Sequence, residues 1–150
     1  MIFLAHALLG TLIGYSLSNL FLIAIIAFLS HFLLDALPHI DTGSFKRKSQ
    51  YTRKDWYIVM FDIIIGLAFV IYFALKLGFL PVFIGAFFAI LPDAIDGSAW
   101  LFKFKKMAFF KKMNAFHENF GFKMKHEFIL LGYIIEVAVI LGLLSILFWL

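Results

Sequence analysis

The chain contains no cysteine, and only 15% of its 150 residues are Asp, Glu, Lys or Arg. Without thiols there is no disulfide framework, no thiolate nucleophile and no sulfur ligand for a metal. So thin a supply of charge excludes intrinsic disorder, which needs low hydrophobicity and high net charge. It also excludes an ordinary soluble domain, in which about a quarter of the residues are charged. Glycine-rich phosphate cradles and the G-x-S-x-G turn of serine hydrolases are missing too. The first apolar stretch lacks the basic flank and small-residue cleavage site of a secretory signal, so it is expected to be retained.

What is present is apolar. Hydrophobic residues make up 64% of the chain, 21 of them Phe, and the mean hydropathy is +1.01. A globule of this size buries only about 70% of its unfolded surface, too little to hide such a composition from water. The composition predicts an all-α polytopic integral membrane protein, a single transmembrane helical domain over residues 1–150. Met1–Leu37 is one apolar run broken only at Tyr15–Asn19. As one helix it would reach about 55 Å, against a hydrocarbon core of about 30 Å, so it must fold back there. Five spans are expected, at about residues 1–17, 20–37, 56–75, 80–95 and 128–149. Pro38 and Pro92 are expected to stop the second and the fourth, because a proline pushes the preceding residue out of helical geometry. Trp56 and Tyr57 read as interfacial anchors, and Lys76-Leu77-Gly78 with Pro81 as a tight reversal.

The formal net charge is +4, from 13 Lys and Arg against nine Asp and Glu. In the five-span topology every cation but Lys76 falls on one side, which the positive-inside rule makes cytoplasmic together with the N-terminus. That puts the protein in the cytoplasmic (inner) membrane and explains the charge without nucleic acid. Trp100–Phe116 interleaves Phe and Trp with Lys103, Lys105, Lys106, Lys111 and Lys112. This segment is expected to form a basic amphipathic helix at the interface, its lysines meeting the anionic headgroups of membrane lipids. The oligomeric state is left open.

The histidines and nearly all the acids map to the same side; Glu136 alone reads as deeper. Ionisable groups within a bilayer are costly and face a cavity or one another. His31-x-x-x-Asp35 sets an imidazole and a carboxylate one helical turn apart. That spacing suits two ligands of one metal, or a carboxylate that orients a ligating histidine. Ala36–Asp41 and Ile90–Asp96 resemble each other, and each presents ionisable residues just after a proline. The candidate metal ligands are His6, His31, Asp35, His39, Asp41, Asp93, Asp96, His117 and His126. Asp35, Asp96 and Glu118 are the candidate acid–base residues. Imidazole and carboxylate without thiolate suit one or two divalent ions, zinc first and manganese or iron next. Asp62 is expected to make an interhelical hydrogen bond, and Glu136 a buried polar contact.

Ala5-His6 in the first span, Ser30-His31-Phe32-Leu33-Leu34-Asp35 at a helix end and Leu91-Pro92-Asp93-Ala94-Ile95-Asp96 together resemble the bacterial membrane-bound metal-dependent hydrolase family. That family is in turn similar to zinc-dependent phospholipases C. The resemblance implies a metal-assisted hydrolase of phosphoester or lipid-like substrates. The family's H-R-G-x-T-H-S element is missing here, with only His117 and His126 to stand in for it, and the order of the other two motifs is reversed. Two further function classes stay open. A divalent-metal binding or transport protein requires polar residues on both sides of mid-membrane, and a structural membrane protein would use its histidines only to pair helices.

Overall fold

The computed structural model describes residues 2–40, 51–101, 107–120 and 128–150, and within them all side chains except those at 99–101, 114 and 117–120. Six helices follow one another: α1 (Phe3–Ser16), α2 (Leu20–Asp35), α3 (Arg53–Leu77), α4 (Phe79–Leu101), α5 (Ala108–Phe120) and α6 (Ile129–Trp149). No strand occurs among the described residues. Asp41, Lys103, Lys105, Lys106 and His126 lie outside them, and of His117 and Glu118 only the place on α5 is defined.

Local chemistry sets the turns. The Asn19 side chain accepts from the N–H groups of Phe21 and Leu22, starting α2 where the polar interruption predicted a reversal. Thr52 and Asp55 form a reciprocal capping box at the start of α3. Gly78, with φ 126°, is the one residue between α3 and α4, and its left-handed backbone favours glycine.

Length separates the helices into two groups. α3, α4 and α6 are long and apolar enough to cross a membrane, whereas α1 and α2 have 14 and 16 residues. At 1.5 Å per residue the short pair reach only about 21 and 24 Å, less than the roughly 30 Å hydrocarbon core. Three of the five expected spans are thus helices of spanning length, and the other two, α1 and α2, form a shorter apolar hairpin packed against them. The outer faces are apolar, with Phe61, Leu75, Leu130 and Trp149 among the exposed side chains, while buried positions include His6, His31, Asp35, His39 and Glu136. An apolar exterior around a polar interior is what a lipid environment selects.

Two other boundaries differ from expectation. Pro92 does not end α4 but lies inside it, and the helix runs on to Leu101. A proline within a helix leaves the carbonyl four residues earlier without its donor, a loss that neighbouring helices offset in a bundle. The interfacial segment expected over 100–116 is divided: Trp100 and Leu101 finish α4, and the amphipathic helix is α5. On α5, Lys111 and Lys112 are exposed, and the Phe116 ring packs edge-on against Phe32 of α2 at 5.0 Å.

The centre of the bundle is the contact between α1 and α4, and glycine makes it possible. A Cβ on Gly10 would collide with the Gly85 carbonyl and stand 2.7 Å from the Ala89 side chain. One on Gly85 would run into the Gly10 carbonyl and stand 2.9 Å from the Gly14 nitrogen. Gly10-x-x-x-Gly14 therefore lays backbone on backbone against Gly85, the small-residue packing that membrane helices use in place of a hydrophobic driving force. The two helices run antiparallel, so the start of α1 lies beside the Pro92 region of α4.

Candidate metal centre

Three helix segments bring the ionisable residues together. His6 lies one turn before Gly10 on α1, His31 and Asp35 occupy the last turns of α2, and Asp93 follows Pro92 on α4. Donor atoms of His6, His31 and Asp93 all lie within 4.8 Å of one another, so the cluster could hold a metal ion. His6, His31 and Asp35 are almost completely buried. The Asp93 side chain is 38% exposed, so the cluster opens on the α4 side.

Asp35 stands at the focus. Its Oδ1 is 3.2 Å from His6 Nε2 and its Oδ2 is 3.1 Å from His31 Nε2. His31 Nε2 also faces Asp93 Oδ1 at 3.8 Å. After the turn at Pro38, His39 folds back beneath α2 and brings its Nε2 to 4.0 Å from Asp35 Oδ1. Ligands about 2.0–2.2 Å from one tetrahedral ion stand roughly 3.3–3.6 Å apart, so these separations span the edge length of a zinc-type site.

The other ring nitrogens sharpen the picture. His31 Nδ1 lies 2.8 Å from the Ala89 carbonyl, and His39 Nδ1 lies 2.7 Å from the Leu37 carbonyl. A carbonyl only accepts, so each Nδ1 carries a proton, and each ring turns its Nε2 toward Asp35. A lone pair facing a carboxylate at such range needs a cation between them, whether a proton or a metal. Backbone anchoring of the non-ligating nitrogen is the usual arrangement for metal-bound histidine. His6 Nδ1 has no hydrogen-bond partner among the described residues, although the ring is buried, and its Nε2 has only the 3.2 Å contact with Asp35. The His6 and His31 rings stack with centroids 4.0 Å apart, so protonating both would set two cations face to face in an apolar surround. With neutral imidazoles, Asp35 and Asp93 leave a charge of −2 that one divalent ion cancels. The C-terminal end of α2, which carries Asp35, adds the partial negative charge of a helix end.

Of the nine candidate ligands, His6, His31, Asp35, His39 and Asp93 thus meet at one place. Asp96 follows Asp93 by three residues on α4 and is partly buried. His117 sits on α5, which packs against α2 and α4, and Asp41 and His126 lie outside the described residues.

Asp62 and Glu136 belong to a different structure. Asp62 accepts from the backbone N–H groups of Phe3 at 2.8 Å and Leu4 at 3.1 Å, and Glu136 accepts from that of Ile2 at 3.0 Å. Glu136 thus makes the buried polar contact expected of it, with the backbone at the start of α1 as its partner. The sequence reading missed Gly10, Gly14 and Gly85, although the G-x-x-x-G spacing in an apolar helix was visible. Compared with protein-family models, with curated proteins and with solved structures, the chain gives no match.

Proposed function

We propose that this protein is a membrane-embedded, metal-dependent hydrolase acting on a phosphoester or lipid-like substrate at the cytoplasmic interface. One observation carries the reading: His31, tied through Nδ1 to the Ala89 carbonyl, aims its Nε2 at Asp35 and Asp93 beside His6. Such a set of buried imidazoles and carboxylates fits zinc, with manganese or iron as the nearest substitutes. A bound ion of this kind lowers the pKa of its water to about 7 and polarises a phosphoryl oxygen. Asp35, which faces Nε2 of both His6 and His31, is proposed as a further ligand of the same ion. Asp96 and Glu118 are the groups proposed to take up and return the proton. Asp41, His117 and His126 remain candidates for further ligands, including those of a second ion. Exposed Lys111 and Lys112 on α5 suit the phosphate of a substrate that arrives within the bilayer, and the exposed edge of Asp93 gives it an entrance.

A transport reading needs polar groups along the far half of the bundle. Glu136, the one acid expected to supply such a step, holds the start of α1 instead.

Protein purified in detergent is expected to contain stoichiometric zinc, manganese or iron by elemental analysis. It is also expected to cleave a lipid phosphoester, with the activity lost to a chelator and restored by zinc. Absence of metal would overturn the site. Metal without cleavage of any phosphoester would leave a binding protein. For the topology, single cysteines placed at Ser44 and Asn114 of this cysteine-free chain should both react with an impermeant thiol reagent from the cytoplasmic side. Labelling from opposite sides would refute it.

A further inference from the structure

We propose that Asp62 and Glu136 are positioning residues for the metal centre: from α3 and α6 they hold the first turn of α1 and so fix where His6 stands. This rests on the metal-site reading above and adds a second layer to it. The start of any helix leaves four N–H groups without partners inside the helix. Ile2, at the cap position of α1, offers no side-chain acceptor. The two oxygens of Asp62 take the N–H groups of Phe3 and Leu4, and Glu136 Oε1 takes that of Ile2. Three consecutive donors are thus held by carboxylates from two other helices.

The arrangement exceeds what capping alone requires. A neutral serine or asparagine at the cap would satisfy a free N–H without placing carboxylates in apolar helices, where they are costly. Attachment to two separate helices restrains the first turn in both translation and rotation. Gly66, one turn beyond Asp62, presses the contact closer, since a Cβ there would stand 2.7 Å from Cε1 of the Phe3 ring. His6 lies three residues after Phe3 on the same turn, and it is the one histidine or carboxylate that α1 contributes. Metal–ligand distances tolerate only about 0.2 Å, so a slip of the turn by a fraction of an ångström moves His6 out of range.

Cobalt(II) serves as the probe, because its visible absorption reports ligand number and geometry. Titration of the full-length protein in detergent with Asp62→Asn should show cobalt affinity lowered by about 10-fold or more, with a changed visible band. Asparagine keeps one acceptor but turns its NH₂ toward the other N–H. Glu136→Leu should act in the same direction, whereas Glu136→Gln, which keeps an acceptor for Ile2, should stay within about twofold of the parent. In a His6→Ala background, Asp62→Asn should change the remaining affinity by less than about twofold, because the histidine it positions is gone. The proposal fails if Asp62→Asn and Glu136→Leu leave cobalt binding unchanged, or weaken it equally with and without His6. It also fails if both variants lose helical circular dichroism, for then the two acids hold the bundle rather than the ligand. Parent protein that takes up no cobalt gives a different pattern and sinks the metal-site reading itself, this inference with it.

Discussion

His31→Ala protein is expected to purify with almost no metal. Loss of an outer partner of a metal ligand costs about 10–100-fold in affinity, and removing the ligand itself should cost at least that much. The effect is large because His31 makes every kind of contact in the cluster. Its Nε2 faces Asp35 at 3.1 Å and Asp93 at 3.8 Å, its Nδ1 is fixed on the Ala89 carbonyl, and its ring stacks on His6. Truncation would leave two carboxylates facing a void with no imidazole between α2 and α4. His6→Ala should follow with a smaller loss. His39→Ala should be the mildest of the three, since its Nε2 stands 4.0 Å from Asp35. Elemental analysis of the three variants, purified alongside the parent, gives the order directly. Unchanged metal in His31→Ala would refute its assignment as a ligand.

The clustering behind this expectation was legible in the sequence because ionisable residues are so scarce in an apolar chain. His31 and Asp35 share a helix face by their four-residue spacing, and the alternation of spans carries His6 and Asp93 to the same end. Hydropathy placed the fold-back between α1 and α2 but overran their ends by a few residues, since apolar composition does not mark where a helix stops. Nor does it tell a proline that ends a helix from one that a bundle tolerates. Pro38 follows α2 as expected, but Pro92 sits inside α4, where packing against α1 and α2 keeps the helix intact. Glu136 read as an isolated mid-membrane acid, since its partner, the backbone of Ile2, is 134 residues away and carries no side-chain signal. Asp93 illustrates the same limit. Its meeting with His6 depends on how closely α4 approaches α1, and that distance is set by glycines whose lack of a side chain is easily taken for mere apolarity.

That dependence gives the second large effect. Gly85→Leu is expected to separate α1 from α4 and to disable the metal centre without touching any ligand. Overpacking a close-packed interior costs roughly 1–3 kcal/mol and occasionally more, and the upper end applies here because the obstacle is backbone. A Cβ at Gly85 meets the Gly10 carbonyl and the backbone of Gly14, neither of which can rotate away as a side chain would. The ligands stand one turn from this contact on α1 and two turns from it on α4, so any separation there is carried into the distance between His6 and Asp93. Gly142→Leu provides the matched control, because a Cβ at Gly142 has nothing within 4 Å and α6 is exposed there. Thermal unfolding in detergent should show Gly85→Leu markedly destabilised and poor in metal, with Gly142→Leu close to the parent in both. Equal tolerance of the two substitutions would mean that α1 and α4 are not held in glycine-to-glycine contact, and that the distances around Asp35 depend on something other than that close approach.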